Sequence, residues 1–550
     1  MENHKKKVLL LSVLAEKNAI LAEELGICSI AAYLESKGYE VILENSTRNY
    51  VDFKKIISES PDLIGFPMYS TTEEVVVNVC RTIKRSLPNV ICVLGGYWPT
   101  LYPKKLLEKY PEFDYVIMGE GEIVFYNLLK AIEKNKSLES VKGIAYRNDS
   151  KIIVNEREDP ICNLDDLPFP RRDLLVKNRL KYAYISTSRG CLGNCSFCWH
   201  GSFWDPNHKI RWRGRSPENI IEEIEILIDK YHVNRFWFID DSFEDFSNNP
   251  NRIWEIAQLI VDKKINISYE TYFRAEVYKK FTDEKMELLK KSGLVGIIFG
   301  IESGNDDDLK LYNKIASAED NLKAVEYFRK HDIAVDIGFI NFNPYSTFKK
   351  LRQNIDYLEK TYFASVLYYL VERCGITEFS PIYYKAKNDQ LLIEEGDGCY
   401  SYHYVISDIG KMSDYLYYKF HANENSKEYF YSKKIANVIR EEFKLLNYIK
   451  RNFGKENEKA NQLVTDFERV AWKILKDVNS NNAEWFRELL ESVENGWNKE
   501  EAEKITEKYL NLAYLKGISD ELEKHRLSLY IHLDRIGISA SEYINFGVTS

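Results

Sequence analysis

Two rhythms of apolar residues alternate along the first 140 positions. Short runs rich in Val, Ile and Leu fall at 7–13, 40–44, 62–68, 89–94 and 114–118, each the length of one strand. Between them, segments 26–36 and 72–86 repeat apolar positions at the three- and four-residue spacing of an amphipathic helix. Strands separated by helices predict a doubly wound parallel sheet with helices on both faces. Such sheets bind ligands beyond the carboxyl ends of their strands, at the point where strand order reverses. Here those ends carry Tyr69 and Ser70, then Gly95, Gly96, Tyr97 and Trp98, then Gly119 and Glu120. These residue types let backbone approach a ligand or supply a hydroxyl, carboxylate or ring.

The rhythm breaks at 141–180. Two short apolar runs flank Asn148-Asp149-Ser150, a hairpin signal, and Pro168 and Pro170 then punctuate the chain as in a linker. Alternation resumes over 181–372, with strands expected at 183–188, 235–240, 267–273, 293–300, 333–341 and 363–370. Ser216 and Pro217 suit a helix start, as cap and first-turn residue. Six such units predict a partial (β/α)6 TIM-like barrel. From 373 to 550 the pattern is irregular and Tyr-bearing, then mostly helical, as over 435–453 and 461–478. The aromatic stretch with Tyr383, Tyr384, Tyr400, Tyr402, His403 and Tyr404 suits either a core or the mouth of a site. The expected division is therefore 1–140, a linker at 141–180, 181–372, and 373–550.

A chain of 550 residues exceeds one core, which agrees with several domains. Its net charge of −8 argues against general nucleic-acid binding. No apolar run reaches membrane-spanning length and no signal-peptide pattern follows the basic start, so a cytoplasmic protein without membrane partners is expected. Nine cysteines do not suggest a disulfide scaffold in that compartment. Six are scattered, but Cys191, Cys195 and Cys198 fall within eight residues.

That cluster lies in Ser188-Arg189-Gly190-Cys191-Leu192-Gly193-Asn194-Cys195-Ser196-Phe197-Cys198, directly after an expected strand. Thiolates are soft ligands for zinc or iron–sulfur clusters. Two glycines let the loop wrap three corners of a cubane, and three ligands for four irons leave one iron open to substrate. Zinc would need a fourth ligand, and His200, two residues on, is an awkward reach.

The C-x-x-x-C-x-x-C loop with Phe197 before its last cysteine resembles that of radical S-adenosylmethionine (SAM) enzymes. Leu25–Leu34, Leu94-Gly95-Gly96 and Met118-Gly119-Glu120-Gly121-Glu122 resemble the cobalamin-binding domain that one subgroup carries before the barrel. The resemblance covers about residues 5–370. It implies a [4Fe–4S] cluster on Cys191, Cys195 and Cys198, with SAM on the fourth iron and cleaved to a 5′-deoxyadenosyl radical. It also implies that Asp240 and Asp241 meet the amino group of SAM, Arg274 its carboxylate, and Glu302 and Ser303 its ribose or methionine part. The segment Gly338–Pro344 aligns with an adenine-side motif, with Phe342 where a second glycine often stands. The cobalt-ligating D-x-H-x-x-G signature is missing, and His4 is the one histidine before His200, so cobalamin is expected base-off. Its lower face would then be water-bound, empty, or blocked by a side chain from the strand-end loops, for which Tyr69, Tyr97 and Trp98 are the candidates. A second cysteine trio, which a methylthiotransferase would carry, is not visible before residue 191.

With both cofactors, the resemblance implies methylation of an unactivated carbon in a peptide or small natural-product substrate through methylcobalamin. A flavodoxin or ferredoxin would supply the electron. Two alternatives stay open: a non-methylating rearrangement, cyclisation or carbon–carbon bond formation, and a non-catalytic sensor that keeps the cluster fold.

Overall fold

The computed structural model of the chain describes residues 5–14, 23–47, 49–149, 151–199, 210–244, 249–393, 399–420, 427–454 and 456–539. His4, His200 and the Cys399 side chain lie outside them. Two compact units emerge, one containing residues 1–191 and 200–233, the other 192–199 and 234–548.

In the first unit, β1 (Lys7–Leu14), β2 (Glu40–Thr47), β3 (Leu63–Pro67), β4 (Ile91–Gly95) and β5 (Tyr115–Ile117) are parallel, in the order β2-β1-β3-β4-β5. Along β1, Val8 and Leu10 enter one core while Leu9, Leu11 and Val13 enter the other. Burial on both faces is why this strand reads as one unbroken apolar run. Helices Leu25–Ser36 and Gly121–Glu133 cover one face and Glu73–Ser86 the other. The order reverses between β1 and β3, which marks the ligand-binding crevice of such sheets.

The segment expected to be a linker is partly sheet. β6 (Ile144–Asn148) pairs antiparallel with β5, and β7 (Lys151–Val154) with β6, because the edge of β5 offers unpaired backbone groups to the hairpin. After a 3-10 turn, Leu164–Asp166, and a short helix, Asp173–Lys177, the one strand expected at 183–188 is instead two, β8 (Ala183–Ile185) and β9 (Ser188–Gly190), because β9 pairs antiparallel with β10 (Trp212–Gly214). The helix Pro217–Tyr231 starts as its sequence predicts, Ser216 accepting from the Asn219 N–H.

The second unit is built on β11 (Arg235–Phe238), β12 (Ser268–Phe273), β13 (Leu294–Glu302) and β14 (Ala334–Phe339), parallel and in sequence order. The strand expected at 363–370 is instead a 3-10 turn, Phe363–Ser365, and a helix, Leu367–Val371. Its buried Phe363, Val366, Leu367, Leu370 and Val371 follow helical spacing, which a continuous apolar run conceals. Helices Ser407–Phe420, Lys427–Phe453, Glu458–Glu494, Lys499–Leu510 and Leu512–Arg535 complete this unit. Lys427–Phe453 closes the N-terminal ends of the strands: Lys444 pairs with Glu270 of β12 at 2.5 Å, and Arg440 pairs with Asp336 of β14. The Lys444 stem lies over Gly296, where a Cβ would come within 3.1 Å. None of the described helices is long and apolar enough to cross a membrane.

Candidate functional site

The lead-in to the cysteine loop is set by geometry and charge within the first unit. Gly190 has φ +90°, and a Cβ there would stand 2.0 Å from the Arg211 carbonyl oxygen, so only glycine fits next to Cys191. Arg189 donates to Glu120 at 2.9 Å and to Glu122 at 2.6 Å, and Arg213 donates to Glu120 at 3.0 Å. Burial raises the Glu122 pKa, but Arg189 and the Ser29 hydroxyl outweigh it and hold the carboxyl below its ordinary value. Glu120 also accepts from the Ile161 N–H at 2.6 Å. Its carboxylate is thus occupied within the protein, one of its donors, Arg189, lying on the strand that leads into the loop.

The rest of the loop is anchored in the second unit. Ser196 donates its N–H to the Tyr312 carbonyl at 2.9 Å and its hydroxyl to the Leu311 carbonyl at 2.6 Å. Its own carbonyl accepts from Ile382 at 2.8 Å. Asn313 holds the Asn194 carbonyl at 2.8 Å, and the Cys198 N–H turns back to the Cys195 carbonyl at 3.1 Å. Phe197 is half-buried and meets buried Tyr312 edge-on at 5.4 Å. Tyr383 is buried in the same cluster, with Tyr400 and Tyr402 packed against it. That part of the aromatic stretch is therefore core, while Tyr384 is 53% exposed.

At the carboxyl end of β13 the register with β14 slips between Gly300 and Glu302, a bulge that re-aims the Glu302 side chain. Glu302 has φ +68°, which costs a residue with a Cβ about 1–2 kcal/mol. Its carboxylate lies against two bare backbones: a Cβ on Gly300 would fall 2.8 Å from it, and one on Gly338 3.4 Å. Lys314 stands 3.7 Å away. Burial raises the Glu302 pKa against the pull of Lys314, and burial likewise pushes the Cys195 thiol up while Lys314 opposes it.

At the end of β11, Asp240 is buried and Asp241 half-buried. Arg274 donates to buried Glu244 at 2.9 Å and pairs with Glu276 at 3.3 Å. Burial raises the pKa of Glu244 despite Arg274. Ser303 is turned into the core, donating to Asn354 at 2.9 Å and accepting from Asn305 at 2.9 Å. Its hydroxyl serves the turn after the bulge. Sequence reasoning missed Lys314 and Glu244; only the acidic run Asp240–Glu244 hinted at the latter.

At the strand ends of the first unit, Tyr69 and Ser70 are exposed, and Tyr69 lies 6.4 Å from the half-buried Tyr97 ring. Gly95 has open space where a Cβ would stand, and Gly96 and Gly119 have φ +94° and +80°. Trp98 departs from the expectation that it blocks a ligand face. It is 6% exposed in the core and donates to Glu73 at 2.7 Å, because a buried indole N–H needs an acceptor.

Known families match both units. A family model described as the B12 binding domain matches residues 12–129, and one described as the radical SAM superfamily matches 185–358. The chain is a radical SAM enzyme with a B12-binding domain. As a cobalamin-binding radical SAM enzyme it is 28% identical over 344 residues to the uncharacterized methyltransferase PH0819 of Pyrococcus horikoshii, covering 61% of this chain and 73% of that one. It is also 28% identical over 327 residues to the anaerobic magnesium-protoporphyrin IX monomethyl ester cyclase of Synechocystis, covering 56% and 62%. The chain thus spans less than two thirds of that cyclase. The solved structure of OxsB, a cobalamin-dependent S-adenosylmethionine radical enzyme with aqua-cobalamin bound, shares the fold at a TM-score of 0.67 and 22% identity, covering 94% of this chain and 84% of OxsB.

The cofactors of this family are a [4Fe–4S] cluster, SAM and cobalamin, and the residues present fit them. Cys191, Cys195 and Cys198 are half-buried, whereas Cys28, Cys80, Cys92 and Cys374 are buried. Glu302, bared by two glycines, offers a carboxylate for hydroxyl groups. The open space at Gly95 lets a flat macrocycle approach backbone.

Proposed function

We propose that this cobalamin-dependent radical SAM enzyme is a methyltransferase acting on an unactivated carbon of a peptide or small natural product. The observation that carries the reading is the pairing, in one chain, of the three-thiol loop with glycine-bared ends of a β2-β1-β3-β4-β5 sheet. The similarity to a methyltransferase supports it. When bound, the cluster and SAM supply a hydrogen-abstracting radical, and cobalamin supplies the methyl group.

The chain's own residues hold and orient. Cys191, Cys195 and Cys198 would ligate the cluster. Glu302 would take ribose hydroxyls, its strained backbone keeping the carboxylate aimed without reorganisation. Asp240 and Asp241 would face the amino group. Arg274, held by Glu244, would lend the carboxylate end a fixed donor. Gly95, Gly96 and Gly119 would admit cobalamin, with Tyr69 or Tyr97 beneath it. In this scheme residues 1–140 serve cobalamin, 181–372 the cluster and SAM, and 373–550 the substrate, with a cytoplasmic flavodoxin or ferredoxin as electron donor.

The test is anaerobic reconstitution, extraction of bound iron and cobalamin, and turnover with methyl-labelled SAM on peptide and natural-product panels. Deoxyadenosine with label in a product is expected. Deoxyadenosine formed with a cognate substrate but no labelled product would overturn the methylation reading. It would favour ring closure or rearrangement, which the similarity to a cyclase supports.

A further inference from the structure

A cavity of about 260 Å³ opens at the N-terminal end of β14, the end of the second unit's sheet opposite Glu302. Four cationic side chains line it. Three have carboxylate partners: Arg440 pairs with Asp336, Lys444 with Glu270 at 2.5 Å, and Lys450 with Glu468 at 2.7 Å. The fourth, Arg329, has no carboxylate partner among the described residues. It donates to the Thr361 carbonyl at 2.6 Å and stacks over Phe363 at 4.6 Å and Trp472 at 5.7 Å. Among the acidic residues that line the cavity, the one nearest Arg329 in sequence, Asp332, has a side chain 58% exposed and engages Lys290 and Lys450 instead.

We propose that this cavity is a binding site for a small aromatic carboxylate, with its carboxylate on Arg329 and its ring on the surrounding aromatic wall. A guanidinium fork matches a carboxylate in shape and charge, and a ring fits the wall better than a bare anion does. Burial draws the Arg329 pKa down to about 10, so the site forfeits hydration that a carboxylate ligand would replace. The volume is slightly below the roughly 300–1,000 Å³ of drug-sized pockets, which suits a single ring.

The site is separate from the cofactor residues, so its test needs no turnover. The full chain is titrated calorimetrically with benzoate, and with benzyl alcohol as the uncharged match. Benzoate is expected to bind at least about tenfold more tightly than the alcohol, and Arg329→Gln to weaken benzoate by at least about tenfold. Failure of benzoate to bind, or equal binding by Arg329→Gln, would overturn the proposal. Hydrogen exchange on the unaltered chain tests it independently of the variant's folding. Benzoate should slow exchange at 329–336 and 361–369, and unchanged exchange there would also overturn it.

Discussion

The tightest single-residue constraint near the cysteine loop is Gly190, where left-handed backbone and the Arg211 carbonyl together exclude any side chain. Gly190→Ala must either shift β9 from β10 or unwind the turn, at a cost of at least about 2 kcal/mol. A lower denaturation midpoint and less iron per chain after anaerobic reconstitution are expected. Full iron content would show that the turn does not set Cys191. The thiols themselves were legible from spacing, since three soft ligands in eight residues admit few chemistries. Their supports were not. Glu120 reads as a ligand contact in a strand-end motif, yet its partner Arg189 stands 69 positions away, beyond the reach of local pattern. The same holds for Lys314. Glu302 stood out by resemblance, but its left-handed backbone arises from a register slip against β14 that pairing alone reveals.

Among the elements, the five parallel strands β1–β5 and the helices Leu25–Ser36 and Glu73–Ser86 were legible almost to their ends, because two-sided burial makes strands unbroken apolar runs and these helices repeat their apolar positions at helical spacing. Where the whole segment is buried, as at 363–371, the period vanishes and the state is decided by packing. The long C-terminal helices were visible, but their charged contacts were not. Glu442, on the helix Lys427–Phe453, is 5% exposed and accepts from Tyr530 of the helix Leu512–Arg535. Burial raises its pKa to about 7, while the Tyr530 hydrogen bond and Arg526 oppose the rise. A carboxyl raised on folding contributes stability that is complete below its unfolded pKa, near 4.5, and lost as pH climbs through about 7. Glu442→Gln, uncharged throughout, should match the parent near pH 4.5 and exceed it above pH 7, by on the order of 3 kcal/mol at most. Urea melts at the two ends of that window check it. A stability gap that fails to widen with pH would show that Glu442 keeps its ordinary pKa.

At the scale of the molecule, residues 12–129 match the B12 binding domain while the chain lacks the D-x-H-x-x-G signature. The strand ends of the first unit carry glycines and rings: Gly95 and Gly96 bare the backbone, and Tyr69 and Tyr97 stand beside them. Trp98 is withdrawn into the core, so a blocking role beneath the corrin would fall to the two tyrosines. A phenol offers oxygen and a steric wall but no nitrogen lone pair. If cobalamin binds here base-off, the cobalt(II) form of the full chain should show no nitrogen splitting in its electron paramagnetic resonance spectrum. Tyr69→His should introduce that splitting if Tyr69 lies under the metal. Nitrogen splitting in the unaltered chain would mean that a nitrogen base, from the protein or from the cofactor's own tail, reaches cobalt, and the base-off expectation would fail.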